Sequence, residues 1–465
     1  RDYYASRGLG DVYKRQFRHI LIGEFMKLLF VSLGCDKNLV DSEEMLGLLT
    51  GNGFEIVDDE TEAEAIVVNT CCFINDAKEE SINTILEMAK YKENNLKALI
   101  VAGCLVERYK NEILQELPEI DAIVGTTAFD KICDVVDDVL ADKKHNELES
   151  INKMCRPDVK RIITTGGYYS YLKIAEGCDK HCTYCSIPMI RGAYRSVPMD
   201  ELVKEAEYLA DNGVKELIIV AQEITVYGKD LYGEKKLPEL LHRLCKIPGI
   251  QWIRLLYCYP EEITDELIET IRTEKKICHY IDMPIQHASD KILKAMGRRT
   301  NNAELRNIIS KLRKEIPDIC LRTTLITGFP GETEEDHQIL LDFIDEMEFD
   351  RLGVFTYSPE EDTKAASLDN QVDEEVKLCR KDEIMELQQE ISMDKSERLV
   401  GKEIEVIIEG KASDEDVYVG RSYMDAPSVD GYVFINSEEE LMSGDFAKVR
   451  IVTVSYTHLR AHETR

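Results

Sequence analysis

From residue 26 onward, short apolar runs alternate with stretches of helical period. The first set of strand-like runs is Lys27–Leu33, Ala65–Asn69, Ala98–Ala102 and Ala122–Val124. Helical patterns follow them at about 41–50, 76–90, 105–116 and 129–140. This βαβα rhythm predicts a parallel sheet covered on both faces. A polar stretch at about 142–168 reads as a linker. A second alternation then begins, with strand-like runs at about 170–176, 215–221, 251–256, 279–283, 319–326 and 351–356. Helical stretches lie between them at about 199–212, 238–245, 264–273, 289–315 and 333–347. Six βα units predict a partial (β/α)6 barrel rather than eight closed ones. The last region carries short β-rich runs (IEVIIEG, VYVGRS, GYVFIN, FAKVRIV) separated by turn residues, which predicts a small β-barrel. The fold class is α/β in three parts: 26–141, 164–394 and 396–454.

The two ends break this pattern. Met26 followed by KLLFVSLGC reads as a natural start, whereas residues 1–25 show no period. The segment VSYTHLRAHETR abruptly becomes rich in His and Arg. Residues 1–25 and 455–465 are therefore expected to be non-native sequence and carry no functional weight.

Composition narrows the class. At 44% hydrophobic residues the chain can bury real cores, which excludes a wholly disordered protein. Asp and Glu number 89 against 58 Lys and Arg, a net charge of −31. That argues against a nucleic-acid-coating protein and favours a basic partner or simple solubility. The longest apolar candidate, His19 to Cys35, is interrupted by Glu24 and Lys27, so no membrane span is expected. No secretory signal lines up, and a cytoplasmic location is expected. Fourteen cysteines in such a chain read as metal or redox chemistry rather than disulfides.

Three of those cysteines fall just past predicted strands: Cys35 in SLGCDKN, Cys71 in VVNTCCFI and Cys104 in IVAGCL. Ligands of open α/β sheets bind outside the carboxyl ends of strands, so these side chains are expected to share one crevice. Three thiolates can hold a [4Fe-4S] cube by three corners and leave one iron open. The plainer alternative is three small buried core residues. Cys72 is taken as a spectator.

A second trio is tighter. After the strand SYLKIAEG comes Cys178-DKH-Cys182-TY-Cys185, three cysteines within eight residues. Structural zinc would close its tetrahedron with a fourth ligand, and His181, inside the turn, is awkwardly placed to supply it. Tyr184 is positioned to shield a cluster from water. Other residues past barrel strands are Gln222 and Glu223, Tyr257 and Tyr259, Pro284, Gln286 and His287, and Gly328 to Gly331. Gly328 and Gly331 are expected to allow a tight turn. His287 is expected to be a hydrogen-bonded pocket residue rather than a base. Arg322, inside a strand, faces either a bound carboxylate or a neighbouring Glu.

The CxxxCxxC motif and its preceding strand resemble the radical S-adenosylmethionine superfamily. In that superfamily an open iron chelates S-adenosylmethionine, and one electron splits it to a 5′-deoxyadenosyl radical. A three-cysteine domain ahead of such a barrel resembles the methylthiotransferases, over about residues 26–454. The segments SLGCDKNLVDSE, EGCDKHCTYCSIPMIRG, YCYPEEITDELI, MPIQHASDKILKAMGRR, TLITGFPGETEEDH and YSPEEDTKA resemble the branch that modifies a ribosomal protein. The sister tRNA-modifying branch would read GCQMN near the first cysteine. It would have a Ser-Gly-Ser style segment where this chain has His287-Ala288-Ser289.

The resemblance implies two [4Fe-4S] clusters, one on Cys35, Cys71 and Cys104 and one on Cys178, Cys182 and Cys185. It implies S-adenosylmethionine as cofactor, with Gln222, Glu223, Arg322 and Gly328 as candidate contacts. The implied reaction adds a methylthio group to the β-carbon of an aspartate in small-subunit ribosomal protein twelve. One S-adenosylmethionine supplies the methyl group and a second supplies the radical. An electron donor such as flavodoxin or ferredoxin is implied. The C-terminal barrel resembles the TRAM domain. Between 398 and 450 it has 12 acidic against 6 basic residues, which suits a cationic protein better than RNA. Because the family pattern continues past Val454 into another strand, this barrel is expected to be truncated. Two alternatives remain open at this point: a methylthiotransferase acting on a modified adenosine of tRNA, and a non-enzymatic iron–sulfur electron-transfer protein.

Overall fold

The computed structural model describes residues 26–157, 160–412, 417–454 and 458–464. The expectation about residues 1–25 falls outside them. The described chain divides into two compact units. The first runs to Thr164 and includes Ser186–Ala193; the second comprises Thr165–Cys185 and everything from Tyr194 onward.

The first unit is built on a five-stranded parallel sheet. Its strands are β1 (Met26–Ser32), β2 (Phe54–Ile56), β3 (Ala65–Thr70), β4 (Ala98–Gly103) and β5 (Ala122–Val124), in the order β2-β1-β3-β4-β5. Every residue of β3 and β4 is buried, as expected for strands covered on both faces. The helix Asp36–Gly51 starts directly after Cys35, and the helix Cys104–Tyr109 starts at Cys104 itself. Where one helix over 105–116 was expected, Lys110 takes a left-handed backbone (φ 49°) and the segment breaks into short turns. The described part of the stretch read as a linker belongs to this unit as far as Thr164. The Glu147 amide donates to Ile123 O and its carbonyl accepts from the Gly125 amide, which extends the edge beyond β5.

The second unit holds six parallel strands: β6 (Tyr169–Lys173), β9 (Glu216–Val220), β10 (Trp252–Leu255), β11 (Ile277–Asp282), β12 (Cys320–Thr327) and β13 (Arg351–Thr356). They pair in strict chain order from β6 to β13. A short antiparallel pair, β7 (Ala175–Glu176) with β8 (Arg195–Ser196), flanks the cysteine loop. The helix expected over 289–315 is two helices, Asp290–Ala295 and Asn302–Glu315. Between them Gly297 adopts φ 76° and Arg298 turns its guanidinium to the Pro284 carbonyl.

The C-terminal barrel closes. Its strands are β14 (Glu403–Lys411), β15 (Tyr418–Ser422), β16 (Tyr432–Asn436), β17 (Phe446–Val454) and β18 (His458–Glu463), in the order β14-β15-β16-β18-β17. Past Val454, where the strand pattern was expected to break off, His458–Glu463 supplies the fifth strand. In that strand the side chains alternate so that Leu459 and Ala461 enter the barrel core beside Val433, Ile435, Val449 and Ile451.

One buried ionic cluster joins this barrel to the six-stranded sheet. Glu216 on β9 accepts from Arg254 Nε and from Arg421 Nη2 of the barrel, each at 2.7 Å. All three side chains are fully buried. Burial works against the Glu216 carboxylate, yet the two guanidiniums outweigh it and hold its pKa below the ordinary value. Removing one member leaves unpaired charge in a dry site. Glu216→Gln is expected to cost about 3–5 kcal/mol, read from the urea unfolding midpoint.

Candidate active site

In the first unit, Cys35, Cys71 and Cys104 follow β1, β3 and β4, which are adjacent in the sheet. Ser32 pairs with Asn69 and Thr70 with Gly103, so the residues just past these pairs leave the sheet side by side. Two glycines make the approach possible. Gly34 has φ 94°, and a Cβ there would lie 2.7 Å from Cys71 Cβ and 3.1 Å from its Sγ. Gly103 also has φ 94°, and a Cβ there would meet Asn69 Oδ1 at 2.3 Å and Thr70 O at 2.7 Å. Only glycine suits both demands, of backbone and of space.

Cys71 and Cys104 are buried, and Cys35 is exposed. Burial pushes the thiols of Cys71 and Cys104 up, and Arg191 pulls both down. Cys72 packs into the apolar core with Ile85, Met88 and Leu105. Asn38 ties the loops together: its side-chain amide donates to Leu33 O at 2.6 Å and to Thr70 O at 3.2 Å.

In the second unit, the loop from Cys178 to Cys185 is pinned through Thr183. The Thr183 amide and hydroxyl donate to Met296 O (2.9 Å) and Ala295 O (2.8 Å). The Ala365 amide donates to Thr183 O. Cys178 and Cys182 are buried, and burial pushes the Cys178 thiol up to about 11. His181 takes the left-handed backbone (φ 53°) and is exposed. Tyr184 packs against Ile292, Met296, Phe329 and Tyr357. Two further non-glycine residues at this edge are left-handed, Tyr257 (φ 61°) and Gln286 (φ 73°). Such strain persists where surrounding structure enforces it, and it gathers at working sites.

The remaining sequence candidates separate. Glu223 is buried, accepts from the Thr225 hydroxyl at 2.6 Å and faces Lys180 Nζ at 3.4 Å. Burial lifts its carboxyl to about 7, against the pull of Lys180 and Thr225. Lys180 stands inside the cysteine loop and also bridges Glu261 and Glu262, which ties Glu223 to that loop. Gln222 donates to Glu176 Oε1 at 2.8 Å, while its own oxygen is buried with no hydrogen-bond partner among the described residues. Gly328 (φ 71°) makes room for the stem of Lys377, whose Cγ a Cβ would meet at 2.2 Å. Arg322 is taken up by acids, Asp282 at 2.8 Å and Asp430 of the barrel at 3.3 Å. The neighbour it pairs with is thus aspartate rather than glutamate. His287 is fully buried; the Ser289 amide donates to its Nδ1, so Nε2 carries the proton and faces Glu332 at 3.6 Å.

Two arginines escaped the sequence reading. Arg298 is buried, lies over the Tyr259 ring at 4.3 Å and, among the described residues, finds no hydrogen-bond partner for Nε and Nη1. Arg191, in SIPMIRG, reaches Cys104. The signal for both was an arginine within a few residues of a glycine in a quoted motif, which alone is common.

No three His, Cys, Asp or Glu side chains among the described residues converge on a single-ion position. A lone zinc needs its donors around one point, whereas a cube meets each thiolate at its own corner. No described helix is long and apolar enough to cross a membrane.

Comparison with known proteins adds three domain matches. They are the uncharacterized protein family UPF0004 over residues 27–125, the Radical SAM superfamily over 172–344 and the TRAM domain over 400–462. The chain is 62% identical to the ribosomal protein uS12 methylthiotransferase RimO of Lachnoclostridium phytofermentans, over 92% of this chain and 97% of that protein. It is 53% identical to the protein of the same name from Acetivibrio thermocellus, over 92% and 96%. Among solved structures, the radical S-adenosylmethionine methyltransferase TsrM from Kitasatospora setae shares the fold. That match has a TM-score of 0.53 and 13% identity, and covers 82% of this chain and 79% of the other.

The Gly103 geometry yields a direct test. Gly103→Ala is expected to cost more than about 1 kcal/mol in urea unfolding and to raise the native-state labelling rate of Cys104 by a thiol reagent.

Proposed function

This chain belongs to the RimO family of ribosomal protein uS12 methylthiotransferases, and we propose that it methylthiolates the β-carbon of an aspartate in that protein with two [4Fe-4S] clusters and S-adenosylmethionine. It is an enzyme of the radical S-adenosylmethionine superfamily. In our reading Cys35, Cys71 and Cys104 hold one cluster and Cys178, Cys182 and Cys185 the other. The observation that carries this is the placement of three free cysteines after three adjacent parallel strands, with a guanidinium on one of them.

The residues present suit such groups. Each trio offers three thiols with no disulfide, which leaves a fourth corner open to a reactant. In the second unit the buried Arg298, near Cys182, has two unmet donors that an anionic group would satisfy. A cluster held by Cys178, Cys182 and Cys185 would supply the one-electron chemistry that cleaves S-adenosylmethionine for hydrogen-atom abstraction at a carbon too weakly acidic for a base.

The protein's own tasks are binding, orientation and exclusion of water. Gln222 and Glu223 lie beyond β9, where the unmet Gln222 oxygen is an acceptor for an ammonium or hydroxyl group. Lys180 and Glu223 brace the cysteine loop, and Tyr184 closes its apolar side. Gly328 shapes the loop after β12. Arg322, with two carboxylates already in hand, ties the sheet to the barrel. The acidic surplus of the C-terminal barrel suits a cationic ribosomal protein. A small electron carrier such as flavodoxin or ferredoxin would serve as reductant, and a ribosomal substrate fits a cytoplasmic enzyme.

Anaerobic reconstitution is expected to load about eight irons per chain, and about four would mean a single cluster. Cys182→Ala should lose reductive cleavage of S-adenosylmethionine and keep the other cluster. Cys71→Ala should keep cleavage and lose sulfur insertion, measured as 5′-deoxyadenosine against modified uS12. The reverse result for Cys71 and Cys72 would reassign the ligand. Mass spectrometry of uS12 and of tRNA from a deletion strain should show the modification missing from the protein alone.

A further inference from the structure

The segment Ser186–Ala193 follows the second cysteine trio in sequence yet belongs to the first unit. It is anchored there at Ile190 and at Ala193. The Thr126 hydroxyl donates to Ile190 O at 3.2 Å, and the Ala193 amide donates to Asn152 Oδ1 at 2.9 Å. Gly192 (φ 73°) lets the chain lie against Ile151, where a Cβ would meet the Ile151 carbonyl oxygen at 2.6 Å. Between these anchors stands Arg191, only 2% exposed.

Its guanidinium reaches Asp41, Asn38 and Cys104. Nη1 donates to Asp41 Oδ2 at 2.7 Å; Nη2 donates to Asn38 Oδ1 at 2.9 Å and to Cys104 Sγ at 3.3 Å. Asn38 and Asp41 sit in the first turns of the helix that begins after Cys35. Asn38 also holds the carbonyls of Leu33 and Thr70, which precede Cys35 and Cys71. One planar fork therefore fixes the Cys104 sulfur relative to the backbone that carries the other two cysteines. A lysine cannot do this, because its charge is a single point. A buried guanidinium is expensive to desolvate, and Arg191 meets a carboxylate, an amide oxygen and the Cys104 sulfur there. An anionic group on the three sulfurs would add to the charge that favours this placement.

We propose that Arg191 is the positioning residue of the Cys35–Cys71–Cys104 site, holding the Cys104 sulfur by a charge-assisted hydrogen bond and supplying counter-charge to the cluster bound there. The proposal rests on the three-cysteine reading above. Hydrogen bonds to cluster sulfurs and the local charge set reduction potential. A donor on sulfur favours the more electron-rich state, so Arg191 raises the potential of this cluster and makes its reduction easier.

The test isolates that cluster in the full chain with Cys178, Cys182 and Cys185 all replaced by alanine. This parent is expected to load about four irons; if it loads none, the three-cysteine reading fails and Arg191 is not at issue. Arg191→Gln and Arg191→Lys are then compared by redox titration with electron paramagnetic resonance. At a fixed solution potential, Arg191→Gln should lower the reduced-to-oxidised ratio about tenfold, a negative shift of about 59 mV for one electron. Arg191→Lys should shift less, in the same direction. Loss of iron from Arg191→Gln, with an apo-protein melting curve matching the parent's, also supports the role. A fully loaded Arg191→Gln that titrates with the parent overturns it. If Arg191→Gln does not fold, an unshifted, fully loaded Arg191→Lys overturns it instead.

Discussion

A parallel strand pair has a direction, and that direction organises the candidate chemistry in both units. In the first unit the pairs Ser32–Asn69 and Thr70–Gly103 set three strand ends level with one another. Whatever residues come next must emerge on the same edge. Cysteines widely separated in sequence thus become neighbours without any contact between them having to be selected. The glycines before Cys35 and Cys104 then let two of the loops draw close, since any side chain there would collide with Cys71 or Asn69. The same polarity in the second unit sends the Cys178 loop, Gln222–Glu223, Tyr257 and Gln286 to the carboxyl end of the six-stranded sheet.

Much of this was legible in the sequence because buried parallel strands are nearly uninterrupted apolar runs. AIVVNT and ALIVAG declare themselves, and the cysteines follow at fixed offsets. The strand positions in the second unit were visible for the same reason. The helix Glu374–Glu397 was not. Its buried positions, Lys377, Arg380, Ile384, Gln388 and Ile391, keep helical spacing but are mostly polar, so no apolar stripe marks them. Their burial is explained only by partners from elsewhere, such as Glu332 for Arg380 and the Phe349 carbonyl for Gln388. The strand β18 was missed for another reason: His458, Arg460 and His462 on its outer face masked a strict alternation. Arg191 and Arg298 were hidden because their meaning lies in what they touch, and neighbours distant in sequence leave no local trace.

Buried charge recurs through the second unit, and each instance joins two elements. Glu216 links sheet and barrel through two arginines. Asp430 takes both Arg322 and the Tyr280 hydroxyl, and Asp425 takes Arg351. Such pairs add little net stability over apolar packing, but their geometry fixes how elements register against each other. A barrel docked by greasy contact alone could slide on the sheet. One docked by several directional bonds has a single seat.

The first unit is discontinuous along the chain: residues up to Thr164 are completed by an eight-residue stretch that returns after Cys185. In genetic terms this makes the two units poor candidates for exchange by simple recombination. A crossover in the stretch near Thr164 would pair a sheet from one parent with a Ser186–Ala193 strap from another, and Arg191 would arrive from a lineage that had not matched Asn38 and Asp41. Inheritance of the pair as one block is the natural outcome of a strap that leaves its own half of the gene to finish the other.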